Sequence, residues 1–254
     1  MKYVSLPGIV AASPLKEGER NLSFYLAMEE YLARNSSESD LFFMWQVEPS
    51  VIFGRNQVAE NEVNLDYCKQ HNIKVYRRKS GGGCVYADKD NLMLSFITSE
   101  QNVGFAFNRF VNMVLLILRK LGISATDTTH NDIMIGDRKV CGTACYHLGE
   151  KRSEEHTSEL QSLMDHMLNA ITPSKEKLQK KGIESVRQRI TLLKDYTPKT
   201  LDEIKVLIRE TLCDGELVLS EDDVNNILKY KQTRALYIYL FYIFFNNFLH
   251  SFSY

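Results

Sequence analysis

One large domain combining long helices with short strands is what this sequence predicts, on three observations. Two stretches, Asn21–Arg34 and Phe105–Leu121, carry apolar residues at helical spacing. Around them lie apolar runs of strand length, bounded by Gly, Pro, Asn or Asp. The chain has 254 residues, 44% apolar and 25% charged, which is enough to bury one large core, or one domain and a fragment. A net charge of −1 gives no global field for nucleic acid or an anionic membrane, so any basic patch has to be local. The five cysteines are odd in number, scattered and without paired metal spacing, which favours a reduced, cytoplasmic compartment. Met1–Pro7 lacks the apolar core of a signal peptide and reads as mature protein.

In chain order, Asn21–Arg34 places Leu22, Leu26, Glu29 or Glu30, and Ala33 on one helical face, with Asn21 or Ser23 able to cap. Leu41–Val47 and Ser50–Phe53 read as two strands joined by the turn Glu48-Pro49. Gly54-Arg-Asn-Gln57 follows, a polar cluster with a guanidinium at a strand end. A short helix over Leu65–His71 leads to the strand Ile73–Tyr76. Asn91–Ile97 alternates and reads as a returning strand. The helix Phe105–Leu121 has Phe107, Phe110, Val111, Val114, Leu115 and Leu118 in phase and ends at Gly122.

The chain is organised around Arg77-Arg-Lys-Ser-Gly-Gly-Gly-Cys-Val-Tyr-Ala-Asp88. Three consecutive glycines stabilise neither helix nor strand, and each costs chain entropy on folding. Such a run is kept where backbone takes unusual dihedrals or lies against a ligand. A strand delivering two arginines, a lysine and bare N–H groups to one spot makes a cradle for carboxylate or phosphate. The bland alternative is a hairpin turn with solvated charges.

A second motif is His130-Asn-Asp-Ile-Met-Ile-Gly-Asp-Arg-Lys-Val-Cys-Gly-Thr-Ala-Cys-Tyr146. It reads as a strand over Ile133–Ile135, a tight turn at Gly136-Asp137, and a return strand from Lys139. Asn131 and Asp132 then lie near one end, with Lys139 just past the turn. Gly142, Thr143 and Ala144 are small enough to let backbone pack against a bound molecule. A carboxylate, an amide and a lysine together suit a magnesium-nucleotide site; an exposed hairpin lysine is the plain alternative. The chain contains no Gly-x-x-x-x-Gly-Lys-[Ser/Thr], no Gly-x-Gly-x-x-Gly and no His-Glu-x-x-His. Cys141 and Cys145 form a single Cys-x-x-x-Cys without a partner pair, which argues against zinc.

Taken together, Gly54–Gln57, Glu62–Asn64, Arg77–Tyr86 with Asp88, Asn131-Asp132, Arg138–Ala144 and Lys181–Ile190 resemble the lipoate–protein ligase A family of the biotin/lipoate ligase superfamily, in order and spacing, across roughly Leu22 to Tyr230. The resemblance implies an α+β fold, a mixed, largely antiparallel sheet flanked by helices, related to class II aminoacyl-tRNA synthetase and biotin ligase catalytic domains. It implies that lipoate and Mg2+-ATP give lipoyl-adenylate, whose lipoyl group then passes to a lysine of an acceptor. The acceptors implied are lipoyl domains of 2-oxoacid dehydrogenases or a glycine-cleavage carrier, with no nucleic acid, no membrane and a monomeric enzyme. By the same likeness Lys139 contacts the carboxylate and α-phosphate. Arg77, Arg78, Ser80 and the backbone of Gly81, Gly82 and Gly83 line the substrate and adenylate pocket. Val85 and Tyr86 form an apolar wall for the dithiolane tail, Gly142, Thr143 and Ala144 border the nucleotide, Asn131 positions it, and Asp132 holds the metal.

Two places depart from the family pattern. Arg152–Ser162 reads like the translation of a sequencing adapter where the family has a His-Gly-Thr strand, so His156 is not that histidine, and a sheet strand is expected to be replaced by a polar segment of weak strand propensity. After the helix expected over Ser220–Tyr230, residues 231–254 form an aberrant apolar tail in place of an accessory domain. Its unbroken run, Ala235–Phe245, is about half of the roughly 20 residues a membrane span needs. The catalytic domain expected is therefore 1–230. The competing functions are an acyl-carrier-dependent octanoyl or lipoyl transferase using a cysteine thioester, with Cys84, Cys141 and Cys145 nearest the site, and a non-catalytic lipoate-binding relic.

Overall fold

The computed structural model describes residues 1–7, 21–128, 132–148, 152–160, 169–171 and 191–231, with backbone alone for 145–148 and 152–160. Asn131, the segment Lys181–Ile190 and the tail from 232 lie outside the described residues. The elements are β1 (Lys2–Ser5), α1 (Leu22–Asn35), β2 (Asp40–Trp45), β3 (Ser50–Phe53), α2 (Ala59–Glu62), α3 (Leu65–Gln70), β4 (Lys74–Arg77), β5 (Val85–Ala87), β6 (Leu92–Thr98) and α4 (Val103–Lys120). Then come β7 (Thr126–Asp127), β8 (Asp132–Ile135), β9 (Arg138–Leu148), β10 (Arg152–Leu160), α5 (Leu201–Leu212), β11 (Gly215–Val218) and α6 over 221–231.

Eight strands form one sheet in the order β11-β1-β2-β6-β10-β9-β8-β7, and β4-β3-β5 form a second. In the large sheet β1 runs parallel to both β2 and β11, while every pairing from β2 through β7 is antiparallel. The fold is therefore α+β with a mixed, largely antiparallel sheet.

The two faces of the large sheet explain its sequence. Leu41, Phe43 and Trp45 of β2 and Met93 and Ile97 of β6 share a core with α1 and α6. Phe42 of β2 and Leu92, Leu94 and Phe96 of β6 share another with α4 and α5. With both faces covered, β6 is buried at every residue, the polar Ser95 and Thr98 included, where simple alternation was expected. Each fully buried aliphatic or aromatic side chain stabilises the fold by roughly 1.5–3 kcal/mol.

Helix α1 is buried from Leu22 to Ala33 on almost every side, including Glu29 and Glu30. Its core also takes in Ile52 and Ala87 of the small sheet, so α1 joins the two sheets. A helix enclosed in this way has no continuous polar face, which is why its Met and aromatic residues are core. The opposite face of the small sheet carries Val51, Phe53 and Tyr86 against Cys68 of α3 and Ala170.

Helix α4 begins with the Asn102 side chain accepting the N–H of Phe105. It is pinned to β2 where Arg109 grips Asp40 with two guanidinium nitrogens, aided by the Thr98 hydroxyl. Burial raises the Asp40 pKa, but Arg109 and Thr98 outweigh it and hold the carboxyl below its usual range. A depressed carboxyl pKa contributes stability above the unfolded value, and that contribution is lost as pH falls through the folded one. Urea melts should therefore show the stability gap between wild type and Asp40→Asn narrowing as pH drops below about 4.

The segment expected to lack strand character is a strand here. β10 lies inside the large sheet, pairing with β6 from Ser153↔Thr98 to Leu160↔Leu92 and with β9 from Arg152↔Leu148 to Leu160↔Cys141. Flanked on both edges, its backbone groups complete two ladders, a tertiary demand that overrides weak local propensity.

Candidate functional site

Strands β3 and β4 run parallel, so their carboxyl ends emerge side by side and deliver Gly54 and Arg78 together. The Arg78 N–H donates to the Phe53 carbonyl at 3.0 Å and the Arg55 N–H to the Ser80 carbonyl at 2.9 Å, which seats the glycine loop on the end of β3. Gly54 is required there: a Cβ at this position would stand 2.4 Å from the Gly82 carbonyl oxygen. Gly82 itself has φ +91°, open to glycine and strained for other residues.

The two arginines turn onto the loops beside them, Arg78 buried and Arg77 exposed. Arg78, 8% exposed, donates to the carbonyls of Gly81 at 2.9 Å, Gly83 at 2.6 Å and Ile52 at 3.2 Å. Arg77 donates to the carbonyls of Arg55 and Gln57, each at 2.8 Å, and lies over the Phe53 ring. Both guanidiniums thus hold backbone carbonyls of the site loops. With the carbonyls of Gly81 and Gly83 turned toward Arg78, oxygens that would repel an anion are engaged, and the loop's main-chain means of holding one is its N–H groups. Ser80 is buried in the loop stem.

The second motif forms the hairpin β8–β9, turning at Gly136, which has φ +62°. Asp132 pairs in register with Gly142, and Lys139 lies three residues before Gly142 on β9. The Lys139 side chain folds back over Gly142 and its ammonium meets Asp132 Oδ1 at 2.8 Å. A Cβ on Gly142 would fall 2.6 Å from Lys139 Nζ. The Thr191 N–H fixes the Lys139 carbonyl at 2.9 Å. Loop and hairpin meet at Ala144, whose Cβ is 3.9 Å from the position a Gly82 Cβ would take. Thr143, between them, is half-buried.

The structure thus brings together Lys139, Asp132, Gly142, Thr143, Ala144 and the loop Ser80–Gly83. Tyr86 sits elsewhere, fully buried in the core of the small sheet with Val51 and Phe53. Its pKa is raised by burial and by the Asp88 carboxylate. Val85, on the other face of β5, packs against the core that contains α1. Asp88 closes the β5–β6 turn by accepting the Asp90 N–H at 2.9 Å. Of the cysteines nearest the site, Cys141 is a core residue and Cys84 is half-buried. Burial pushes the thiol pKa of Cys68 up and that of Cys213 to about 11, opposite to what a thiolate nucleophile needs.

Among the described residues no cluster of three or more His, Cys, Asp or Glu could hold a metal ion alone. Magnesium keeps several waters and is typically bound by one or two carboxylates together with substrate phosphates. The carboxylate of Asp132, whose Oδ1 meets the Lys139 ammonium, fits that mode of binding. Residues outside the two main motifs also serve the site: Gly54, in the Gly54–Gln57 segment already singled out, abuts the loop, Glu30 reaches Lys79 from α1, and Thr191 braces Lys139. A glycine directly after an apolar strand was the signal for the first; Glu30 and Thr191 act across distances no local pattern reveals.

Comparison with known proteins gives a consistent outcome. The family described as the lipoyl protein ligase A/B catalytic domain matches residues 21–212. Lipoate–protein ligase 1 of Staphylococcus aureus is 36% identical over 212 residues, 80% of this chain and 65% of that protein. Among solved structures, a bi-partite lipoate protein ligase from the lipoylation system of Thermoplasma acidophilum, studied with its E2 lipoyl domain, superposes with a TM-score of 0.73 at 25% identity, covering 91% of each chain. A lipoate-protein ligase A bound with ATP superposes with a TM-score of 0.71 at 25% identity, covering 84% of this chain and 90% of that one. The chain spans less than two thirds of the length of the curated relatives it matches.

Proposed function

This chain belongs to the lipoyl protein ligase A/B catalytic-domain family, and on that premise we propose that it activates lipoate with ATP and carries the lipoyl group to a lysine of a lipoyl domain. The observation that carries the reading is the ammonium of Lys139 held by Asp132 over Gly142, beside a glycine loop whose carbonyls at Gly81 and Gly83 are already engaged.

The chemistry asks for that arrangement. Joining a carboxylate to the α-phosphorus of a nucleotide brings two anions into contact, and fixed positive charge and N–H donors must offset their repulsion. Lys139 supplies the charge, its stem lying across a residue without a side chain. The N–H groups of the Ser80–Gly83 loop supply oriented dipoles, held by Arg78 from behind. Ala144 and Thr143 are small enough to let loop and hairpin approach each other beside the bound anions. Asp132 would hold a magnesium ion, which when bound supplies charge to the phosphates. Asn131, beside it in sequence, is assigned to the nucleotide. The acceptor is proposed to be a lipoyl domain or a glycine-cleavage carrier, by analogy with the archaeal ligase and its E2 lipoyl domain.

Lipoate-dependent ATP–pyrophosphate exchange tests the adenylating half of this reading. Exchange should require lipoate and fall roughly a thousandfold in Lys139→Ala, the range seen when a charge-stabilising donor is removed. A folded wild-type chain with no exchange would sink the proposal.

A further inference from the structure

The stem of the glycine loop is tied to α1 by a charge pair that no catalytic step uses. Lys79 Nζ lies 2.9 Å from Glu30 Oε1 and 2.8 Å from Glu30 Oε2. The Glu30 side chain is only 6% exposed, while that of Lys79 is 44% exposed. Arg34, one turn along α1, reaches the same carboxylate at 3.1 Å. A carboxylate this buried must be paired, because an uncompensated buried charge is strongly destabilising. Arg34 alone can satisfy that need from within the helix, at the spacing where helical side chains meet. Lys79 therefore adds something other than neutralisation: it crosses 49 residues of sequence to join the loop to the helix.

Its position sets what it controls. Lys79 stands between Arg78, which braces the loop from the small sheet, and Ser80, whose carbonyl is held by the Arg55 N–H. Arg78 and Arg55 orient the loop within its own sheet. Lys79 orients it toward α1, which also packs against the large sheet that carries Lys139. We propose that Lys79 is a positioning residue: its pair with Glu30 latches the glycine loop to α1 and so sets the distance between the loop's N–H groups and Lys139. The latch rests on the ligase reading only for its effect on substrate.

Hydrogen–deuterium exchange of the ligand-free chain reads the latch without turnover. Lys79→Met should speed exchange of amides 80–85 at least roughly fivefold, with α1 unchanged, since loosening one loop is a local opening. Lys79→Arg should restore slow exchange, and Glu30→Gln, which keeps the shape of the acid, should reproduce the faster rate. Equal loop exchange in wild type and Lys79→Met overturns the proposal. In turnover, Lys79→Met should lower kcat about tenfold, equivalent to about 1.4 kcal/mol, because the donors that offset charge in the reaction are displaced, and Lys79→Arg should recover it. A wild-type kcat in Lys79→Met would equally overturn the proposal. If the wild type does not turn over while Lys79→Met still loosens the loop, the ligase reading fails and the latch stands.

Discussion

Gly142→Ala should remove nearly all adenylating activity while leaving the melting temperature almost unchanged. The added methyl would stand 2.6 Å from Lys139 Nζ and 2.9 Å from its Cε, both at the far end of a flexible side chain. That side chain can move aside cheaply, so the fold should lose less than about 1 kcal/mol. Moving aside, however, takes the ammonium off Asp132 and away from the place where the reacting anions meet. Misplacing a catalytic group by about 1 Å can cost roughly a hundredfold, and the shift needed here is of that size. Pyrophosphate exchange and a thermal melt on the same preparation separate the two effects. Full activity in a folded Gly142→Ala protein would show that Lys139 works from some other position.

Gly54→Ala should damage both activity and stability, for the opposite reason. Here the clash is with backbone: the new Cβ would lie 2.4 Å from the Gly82 carbonyl oxygen and 3.3 Å from the carbonyl carbons of Gly81 and Gly82. The loop cannot rotate a side chain out of the way. It must lift from the end of β3, straining the Arg55–Ser80 and Arg78–Phe53 backbone bonds that seat it. Overpacking of this kind costs about 1–3 kcal/mol, and exchange should fall by at least roughly a hundredfold as the loop's donors leave their place. Gly81→Ala is the control for stability, because its methyl would meet nothing within 4 Å. If Gly54→Ala melted with wild type, the close approach of loop and strand end would not be a real constraint in solution.

Much of this arrangement was legible in the sequence, and what was not has physical reasons. α1, α4, the strands β2, β3 and β6 and the β8–β9 turn are visible because local period and turn chemistry suffice to define them. β1, β5 and β11 are three or four residues each, too short to carry a period, and exist through partners far along the chain. β10 was unreadable as a strand for the same reason: its neighbours, rather than its residues, ask for one. At the site, the glycine loop and Lys139 stood out because a triple glycine and a lysine beside small residues are rare expedients. The roles of Arg77 and Arg78 did not. Sequence shows that a guanidinium is present, but whether it meets a ligand or a carbonyl of its own backbone depends on how the loops around it are placed. The placement of Tyr86 was hidden on similar grounds, since alternation along β5 fixes its face only when the face that carries the core is known.

The place of β1 in the large sheet bears on the order in which the chain can assemble. β7 to β10 are successive antiparallel neighbours, joined by short connections, and can zip together from local contacts. β1 sits between β2 and β11, whose registers pair Tyr3 with Phe42 on one side and with Glu216 on the other. β1 is thus enclosed by a strand that follows it by some 210 residues, and its outer edge stays unpaired until those residues have been made. Non-local pairings of this kind form late because the loop-closure entropy must be met first. An unpaired strand edge during that interval is a template for other chains, so an incomplete copy offers β1 to its neighbours until β11 covers it.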